Sequence, residues 1–233
     1  MLPLKINKHF LPYDVYERHR KVGSLINDDE SVVDVGGELN HLSQFCKTQK
    51  IIVANLKSGD IVITRNKLPF APRSFDVACA IDVLEHIAKS KRQDFINRLA
   101  KVARERVILS FPLATKDHLK YEKETYKWLQ KKGLNVDYLA EHIRFGLPTK
   151  DEVERMVKQF KFDLFYSGHL TLNKYLFRFF IFDLKIKVLG KFVYFIKLVF
   201  NFLTNPLLYV ILSKRNYLSS VNRAYLVINK QNH

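Results

Sequence analysis

Short apolar runs alternate with amphipathic segments along most of the chain, a pattern that predicts strands alternating with helices. The apolar runs that predict strands are 31–37, 51–56, 61–64, 74–81, 106–111, 162–170 and 224–228. The segments with helical spacing are 12–27, 39–48, 89–102, 121–132 and 151–160. Because parallel strands need long crossover connections, this order predicts an α/β fold with a doubly wound, mostly parallel sheet of about seven strands.

The pattern changes at 174–215, which holds eight basic side chains and a single acid, Asp183. Within it, 192–212 is a run of 21 residues with one charge, Lys197. We therefore expect three parts: an α/β domain over 1–173, a basic, aromatic helical insertion over 174–215, and a closing strand and tail over 216–233.

The insertion has a narrow polar stripe at spacings of three and four, which predicts an amphipathic helix. The stripe comprises Lys187, Lys191, Tyr194, Lys197, Asn201 and Asn205. Flanking basic residues and interleaved aromatics favour a helix lying in the interface of an anionic membrane. A core helix packed on the sheet, an oligomer interface and a membrane-spanning helix are the alternatives, although a single span would separate the last strand from its sheet.

The composition and net charge favour some classes of binding partner over others. The chain has 233 residues, 47% of them hydrophobic, which excludes a disordered protein. Its 39 Lys and Arg against 23 Asp and Glu give a net charge of +16, which favours a polyanionic partner: nucleic acid, an anionic membrane or an acidic substrate. No recognised RNA-binding motif accompanies this charge, so nucleic acid is the less favoured partner. The oligomeric state is left open.

The expected compartment is the cytoplasm. Cys46 and Cys79 are too few and too far apart for a disulfide framework, which favours a reducing environment. The first twenty residues lack the continuous apolar run of an export signal, so we expect no secretory peptide. Together with the basic insertion, this predicts a cytoplasmic protein bound peripherally to the inner face of the membrane.

The first predicted strand ends in a glycine pair, Gly36 and Gly37, directly after Asp34 and Val35. In an open parallel sheet, ligands bind beyond the carboxyl ends of the strands, where glycine lets them approach the backbone. A glycine pair after a strand is also common in tight turns that bind nothing, so this signal is weak by itself.

Three further segments follow in fixed order: Leu68-Pro69-Phe70, Ser74-Phe75-Asp76-Val77 and Asp82-Val83-Leu84-Glu85-His86-Ile87. With these and the strand RERVILSFP at 104–112, the chain resembles the class I S-adenosylmethionine-dependent methyltransferases, in particular the methyltransferase type 11-like branch. The resemblance covers 13–112 well and extends more loosely to 165 and the closing strand. It implies a Rossmann-like sheet, S-adenosylmethionine as cofactor, and methyl transfer.

The resemblance also implies site residues. Asp34, Gly36 and Gly37 match the family's first motif, whose turn contacts the amino-acid part of the cofactor. Asp82 and Val83 follow the fourth strand and would lie beside the methionine end of the cofactor.

Other positions depart from the family pattern. Asn55 stands where an acid usually accepts both ribose hydroxyls, and an amide has one carbonyl oxygen to offer. Thr64 stands where an acid often binds the adenine amino group. Glu38 and Asn40 replace glycines, and Glu38 would bring negative charge near the cofactor carboxylate or bind its amino group. These departures are what a non-catalytic binding module with the same fold would show.

Methyl transfer needs little side-chain chemistry beyond positioning, but a hydroxyl acceptor also needs a base. The candidates are His86, beside the expected methyl position, and His142, in the loop-like stretch 140–148 that could cover the site. The alternative is that His86 caps a helix and His142 lies on a surface loop. No His-x-x-x-His or Cys-x-x-Cys spacing is present, so we predict no metal.

The sequence therefore predicts S-adenosylmethionine-dependent methyl transfer to a small or lipid-linked acceptor, of glycan or isoprenoid type, at the cytoplasmic membrane face. Two alternatives stay open: a non-catalytic binding module with a methyltransferase fold, and an RNA methyltransferase that uses the positive charge.

Overall fold

The computed structural model describes residues 7–64, 67–181 and 187–230, and a seven-stranded sheet forms its centre. The strands are β1 (Val32–Val35), β2 (Ile51–Asn55), β3 (Ile61–Val62), β4 (Phe75–Ile81), β5 (Ala103–Pro112), β6 (Lys161–Ser167) and β7 (Arg223–Asn229). Their order in the sheet is β3-β2-β1-β4-β5-β7-β6. The first five are parallel, whereas β7 runs antiparallel between β5 and β6. The predicted fold class, a mostly parallel seven-stranded sheet, is confirmed.

Seven α-helices flank or cap the sheet in the described part of the chain. They are α1 (Tyr13–Gly23), α2 (Lys89–Val102), α3 (Lys116–Lys131), α4 (Asp137–Phe145), α5 (Lys150–Val157), α6 (Leu170–Ile181) and α7 (Lys187–Leu212). On one face of the sheet, Phe95 and Leu99 of α2 pack with Val153 of α5. On the other face, Val22 of α1 packs on β1 and β4. Apolar surface is thus buried on both faces, as a doubly wound sheet requires.

Two predicted local structures are wrong. The helix expected over 39–48 is reduced to one 3-10 turn, Leu42–Gln44, because Asn40 has a φ of +65°, which a right-handed helix cannot contain. The stretch 140–148 was expected to be a loop, but most of it belongs to α4. This helix has nine residues and begins after Val136 without a side-chain cap, so the sequence has no start signal for it.

The helix predicted over 121–132 begins earlier than expected, at Lys116. Thr115 caps its first turn, since the Thr115 hydroxyl accepts a hydrogen bond of 3.1 Å from the backbone N–H of His118. This start matters for the site because it places His118 and Glu122 of the same helix over the end of the sheet.

A buried arginine joins two regions that are distant in sequence, 84–92 and 145–152. Arg92 of α2 is fully buried and donates 3.1 Å hydrogen bonds to the carbonyls of Leu84 and Ile87. It also donates to the carbonyl of Gly146, after α4, and pairs with Glu152 of α5 at 2.7 Å. Arg92 therefore fixes the turn after β4 relative to the end of α4.

In the long helix α7, polar side chains contact the protein and apolar side chains are exposed, the reverse of a helix at the surface of a soluble protein. Three members of the α7 polar stripe face the protein: Asn201 donates to the carbonyl of Phe10 and Asn205 to that of Leu11, both at 2.9 Å, and Lys197 donates to the carbonyl of Phe180. Its opposite face is exposed and apolar, and the most exposed side chains are Phe192, Phe195, Leu203, Leu207 and Val210. One helix of the described residues, Leu189–Leu212, is long and apolar enough to cross a membrane, and 17% of its apolar window is buried. The core-helix interpretation is therefore wrong.

The hydrophobic segment lies between the last two strands, since α6 and α7 separate β6 from β7. Strand β7 then returns to the middle of the sheet, beside β5. The division at 173 and 215 remains a prediction, and residues 182–186 of the insertion lie outside the described residues.

Replacement of Arg92 by Met should lower the free energy of unfolding by about 3 kcal/mol, because Glu152 loses its buried cation and three carbonyls lose a hydrogen bond. Urea denaturation measures this loss. Lys101→Met changes an exposed cation on the same helix and should leave the midpoint nearly unchanged. Equal effects of the two substitutions would contradict the role given to Arg92.

Candidate functional site

Two adjoining cavities open where β1, β2 and β4 end. The larger has a volume of about 760 Å³ and the smaller about 560 Å³. Three residues line both: Gly36 after β1, and Asp82 and His86 after β4. Their position beyond the carboxyl ends of parallel strands is where α/β sheets bind ligands.

The turn after β1 requires its first glycine. Gly36 has a φ of +87°, and a Cβ on it would lie 2.5 Å from Cγ2 of Val83. Asp34 lies beneath this turn rather than in either cavity, and a Cβ on Gly37 would overlap its carboxylate. Asp34 is fully buried, and burial raises its pKa to about 7. Its Oδ1 lies 3.7 Å from Sγ of Cys79.

Asn55, at the end of β2, holds the same turn from the side. Its side-chain amide donates to the carbonyls of Gly36 and Gly37, at 3.1 and 2.7 Å. Its Oδ1 accepts a 3.3 Å hydrogen bond from the backbone N–H of Lys57. A carboxylate at this position could not donate to those carbonyls, so the turn uses the amide of Asn55.

The larger cavity is mostly apolar, with polar groups at its edge. Its apolar lining includes Val35, Ile63, Leu68, Val83, Ile87 and Phe95. Asn55 and Thr64 lie on the wall formed by β2 and the segment after β3, and Thr64 is exposed. Size and lining match a site for a flat aromatic group with a polar attachment.

Asp82 is held between two arginines that were not identified from the sequence. Arg18 of α1 lies 2.7 Å from its Oδ2, and Arg223 of β7 pairs with both its oxygens. Despite burial, these two guanidinium groups hold the pKa of Asp82 below its usual range. The residue has a φ of +55°, a strained backbone conformation of the kind that clusters at functional sites.

The smaller cavity is polar and contains the two predicted histidines. His86 follows β4, His142 lies on α4, and their ring centroids are 4.9 Å apart. His86 Nδ1 lies 2.7 Å from Glu141 Oε2, and His142 Nδ1 lies 2.8 Å from Glu122 Oε1. Each carboxylate is placed to accept a hydrogen bond from an Nδ1–H, an arrangement that orients the histidine ring and favours the tautomer with Nε2 as acceptor.

Burial shifts the pKa values of two ionisable groups in this cavity. Burial and the neighbouring His142 ring hold the pKa of His86 below its usual range, so the ring is neutral at pH 7. Burial and the Asp82 carboxylate raise the pKa of Glu85. Glu38 remains exposed at the edge of the cavity, 3.5 Å from Nδ1 of His41, and does not block the space beside Gly36.

The structure thus brings together Gly36, Asp82 and His86 at the junction of the cavities, with Asn55, Thr64 and Val83 on one side and Gly37, Glu38 and His142 on the other. Asp34 alone of the predicted residues lines neither cavity. The loop interpretation of His142 is wrong, since it is a buried residue of a helix. The sequence did not identify Arg18 and Arg223 as site residues, because each lies in a segment whose pattern indicates only an amphipathic helix or a buried strand.

The residues fit S-adenosylmethionine, the cofactor that the fold implies. The apolar cavity suits its adenine and ribose, and Gly36 leaves the backbone open between the two cavities. Arg18 offers a cation for its carboxylate, and the exposed Glu38 offers a carboxylate for its ammonium group. A cofactor bound there would reach both cavities.

No family model matches this sequence, and no curated protein matches it. Solved structures do match its fold. A methyltransferase of Thermotoga maritima, described as a possible histamine N-methyltransferase, matches with a TM-score of 0.56 at 13% identity, over 96% of this chain and 92% of that one. An S-adenosylmethionine-dependent methyltransferase of Archaeoglobus fulgidus matches with a TM-score of 0.56 at 10% identity, over 94% of each chain.

A third match is phosphoethanolamine N-methyltransferase 2 of Haemonchus contortus in complex with S-adenosylmethionine, with a TM-score of 0.51 at 14% identity. This chain aligns over 91% of its length and spans 51% of that protein. The strand order, the glycine turn and these matches together show that the chain has the fold of the class I S-adenosylmethionine-dependent methyltransferases.

Proposed function

We propose that this protein transfers a methyl group from S-adenosylmethionine to a small or lipid-linked acceptor, of glycan or isoprenoid type, at the cytoplasmic face of a membrane. The observation that carries the proposal is the pair of adjoining cavities, one apolar and one polar, that meet at Gly36, Asp82 and His86. Two cavities that share a junction can hold donor and acceptor in contact, which is the main requirement of methyl transfer.

The larger cavity and the glycine turn would hold the cofactor. Asn55 keeps the turn in place, and Asp82 is kept ionised by Arg18 and Arg223 beside the junction. When bound, S-adenosylmethionine supplies an activated methyl group, so no residue of this chain has to activate the donor. The protein's own contribution is orientation and the exclusion of water.

The smaller cavity would hold the acceptor. Its walls come from the capping helices, with Tyr121 of α3, Leu139 of α4 and Phe177 of α6. Inside, His86 and His142 present free ring nitrogens whose orientation Glu141 and Glu122 fix. Such a cavity suits an acceptor with a polar reacting group and an apolar body.

The membrane part of the proposal rests on α6 and α7. The exposed face of α7 has several aromatic and aliphatic side chains, more than an aqueous surface usually presents in one place. Exposed Lys191 and Lys214 lie near its two ends, where they would meet anionic headgroups. These features favour a helix that lies with its apolar face in the membrane interface.

The apolar helix adjoins the acceptor cavity. The hydroxyl of Tyr13 in α1 donates to the carbonyl of Leu208 in α7 at 3.1 Å, and the Arg20 guanidinium lies 4.3 Å from the ring centroid of Tyr209. The same helix α1 carries Arg18 into the cavity, and α6 contributes Asn173 and Phe177. An acceptor anchored in the membrane would therefore find its binding site beside the membrane-facing helix.

Asn55→Asp should weaken the binding of S-adenosylmethionine about tenfold, although it restores the acid typical of the family. The carboxylate cannot donate to the Gly36 and Gly37 carbonyls, and two lost hydrogen bonds cost about 1.4 kcal/mol, the equivalent of a tenfold change. Calorimetric titration of S-adenosylmethionine and S-adenosylhomocysteine measures the change. Lys57→Ala, an exposed neighbour, serves as the control. Tighter binding by Asn55→Asp would contradict the role given to the amide, and a wild-type protein without affinity would contradict the proposed function.

The wild-type protein should sediment with vesicles of phosphatidylglycerol and phosphatidylcholine. The double substitution Leu203→Ser and Val210→Ser should lower the partition coefficient at least tenfold, because each removes about 1.5 kcal/mol or more of apolar burial in the bilayer. Both side chains are exposed, 66% and 74%, so the fold should not suffer.

The matched control is Val62→Ser with Leu134→Ser, two exposed apolar residues outside α7 that should not affect sedimentation. Wild-type protein that stays in the supernatant would contradict the membrane proposal. A stable oligomer in vesicle-free solution, lost in the α7 variant, would assign this face to a second copy of the chain instead.

A further inference from the structure

Three potential metal ligands meet on the acceptor side of the site. Glu85, His86 and His142 each offer one ligand atom, and these atoms lie within 4.8 Å of one another. Glu85 and His86 follow β4, whereas His142 comes from α4, so the cluster exists only in the folded chain. Sequence spacing predicted no metal, and could not have revealed this arrangement.

We propose that Glu85, His86 and His142 bind one divalent transition-metal cation. Two atoms of the cluster are buried without a hydrogen-bond partner: Oε2 of Glu85 and Nε2 of His142. Glu85 is 1% exposed and His142 is 8% exposed. Buried polar atoms are nearly always satisfied in folded proteins, and a cation would satisfy both of these at once.

The carboxylates that contact Nδ1 of the two histidines also support a metal site. Metal-binding histidines usually donate their other ring N–H to a carboxylate, which fixes the ring and raises the basicity of the ligating nitrogen. Both histidines have this arrangement, with Glu141 behind His86 at 2.7 Å and Glu122 behind His142 at 2.8 Å. A pair of carboxylate-backed imidazoles converging with a buried carboxylate is more than a solvated surface cluster would provide.

The types of ligand atom in the cluster determine which class of cation it prefers. Two imidazole nitrogens and one carboxylate oxygen suit Mn²⁺, Fe²⁺, Co²⁺ or Zn²⁺, whereas Mg²⁺ and Ca²⁺ prefer sites made of oxygen atoms. Three protein ligands also leave coordination positions open, as catalytic metal sites do. Asp82 is not needed as a ligand, because Arg18 and Arg223 already occupy its carboxylate.

A cation in this position would narrow the proposed acceptor to one with a hydroxyl group. Bound to the cation, a hydroxyl would have a lowered pKa and a fixed orientation beside the junction of the cavities. His86 and His142 would then act on the acceptor through the cation rather than as free bases. This role rests on the proposed function, whereas the binding of the cation does not.

The test is titration of Co²⁺ into the purified full-length protein without cofactor, followed by its visible absorption, with Mn²⁺ and Mg²⁺ titrations by calorimetry alongside. We expect one Co²⁺ per chain and an affinity for Mn²⁺ well above that for Mg²⁺. His142→Ala should lower Co²⁺ affinity by more than about 100-fold, and Glu122→Gln, which leaves the three ligands in place, by about tenfold.

His9→Ala is the matched control, because His9 lies outside both cavities and its loss should leave Co²⁺ affinity unchanged. Circular dichroism in the presence of a chelator checks that each variant is folded. Absence of Co²⁺ binding, or equal binding by wild type and folded His142→Ala, would overturn the proposal. Titration of S-adenosylmethionine in chelator separates the two proposals, since cofactor binding without metal binding would refute only the cation site.

Discussion

A guanidinium group buried inside the fold determines where the histidines of the site lie. Arg92 contacts two carbonyls of the turn after β4, the carbonyl of Gly146 after α4, and Glu152 of α5. The turn carries His86, and α4 carries His142. Because a buried guanidinium requires its partners, Arg92 holds these two segments together, and the contact of His86 with Glu141 joins them a second time.

Much of the fold could be predicted from the sequence, because it depends on local patterns. Strand runs such as 74–81 and the helix Lys89–Val102 bury regular apolar faces, and the order of strands and helices implies a parallel sheet. The prediction failed where tertiary contacts outweigh periodicity. Asn40 ends a helical pattern by its left-handed conformation, and α4 begins without a side-chain cap that would mark its start in the sequence.

The site divides in the same way. The glycine turn and the residues after β4 were recognisable as a motif, and they do meet between the two cavities. What the sequence could not show is the use of each side chain. The side-chain amide of Asn55 donates to the glycine turn, and Asp34 lies beneath that turn. The two arginines that pair with Asp82, Arg18 and Arg223, come from other elements of the fold, as do the carboxylates that contact the histidines. In α7 the polar stripe was predicted from its spacing. Which side of the helix faces the protein depends on the hydrogen bonds of Asn201 and Asn205 to the carbonyls of Phe10 and Leu11, which are distant in sequence.

The proposals for the cavities and for α7 converge on one reaction, a methyl group passing from a cytoplasmic donor to an acceptor held at a membrane surface. The most direct measurement is the incubation of the protein with methyl-labelled S-adenosylmethionine and a total membrane-lipid extract, followed by partition into organic solvent. The account predicts label in the lipid phase, in an amount that depends on the protein. Label that stays in S-adenosylmethionine and never enters the lipid phase, despite demonstrated cofactor binding, would contradict it.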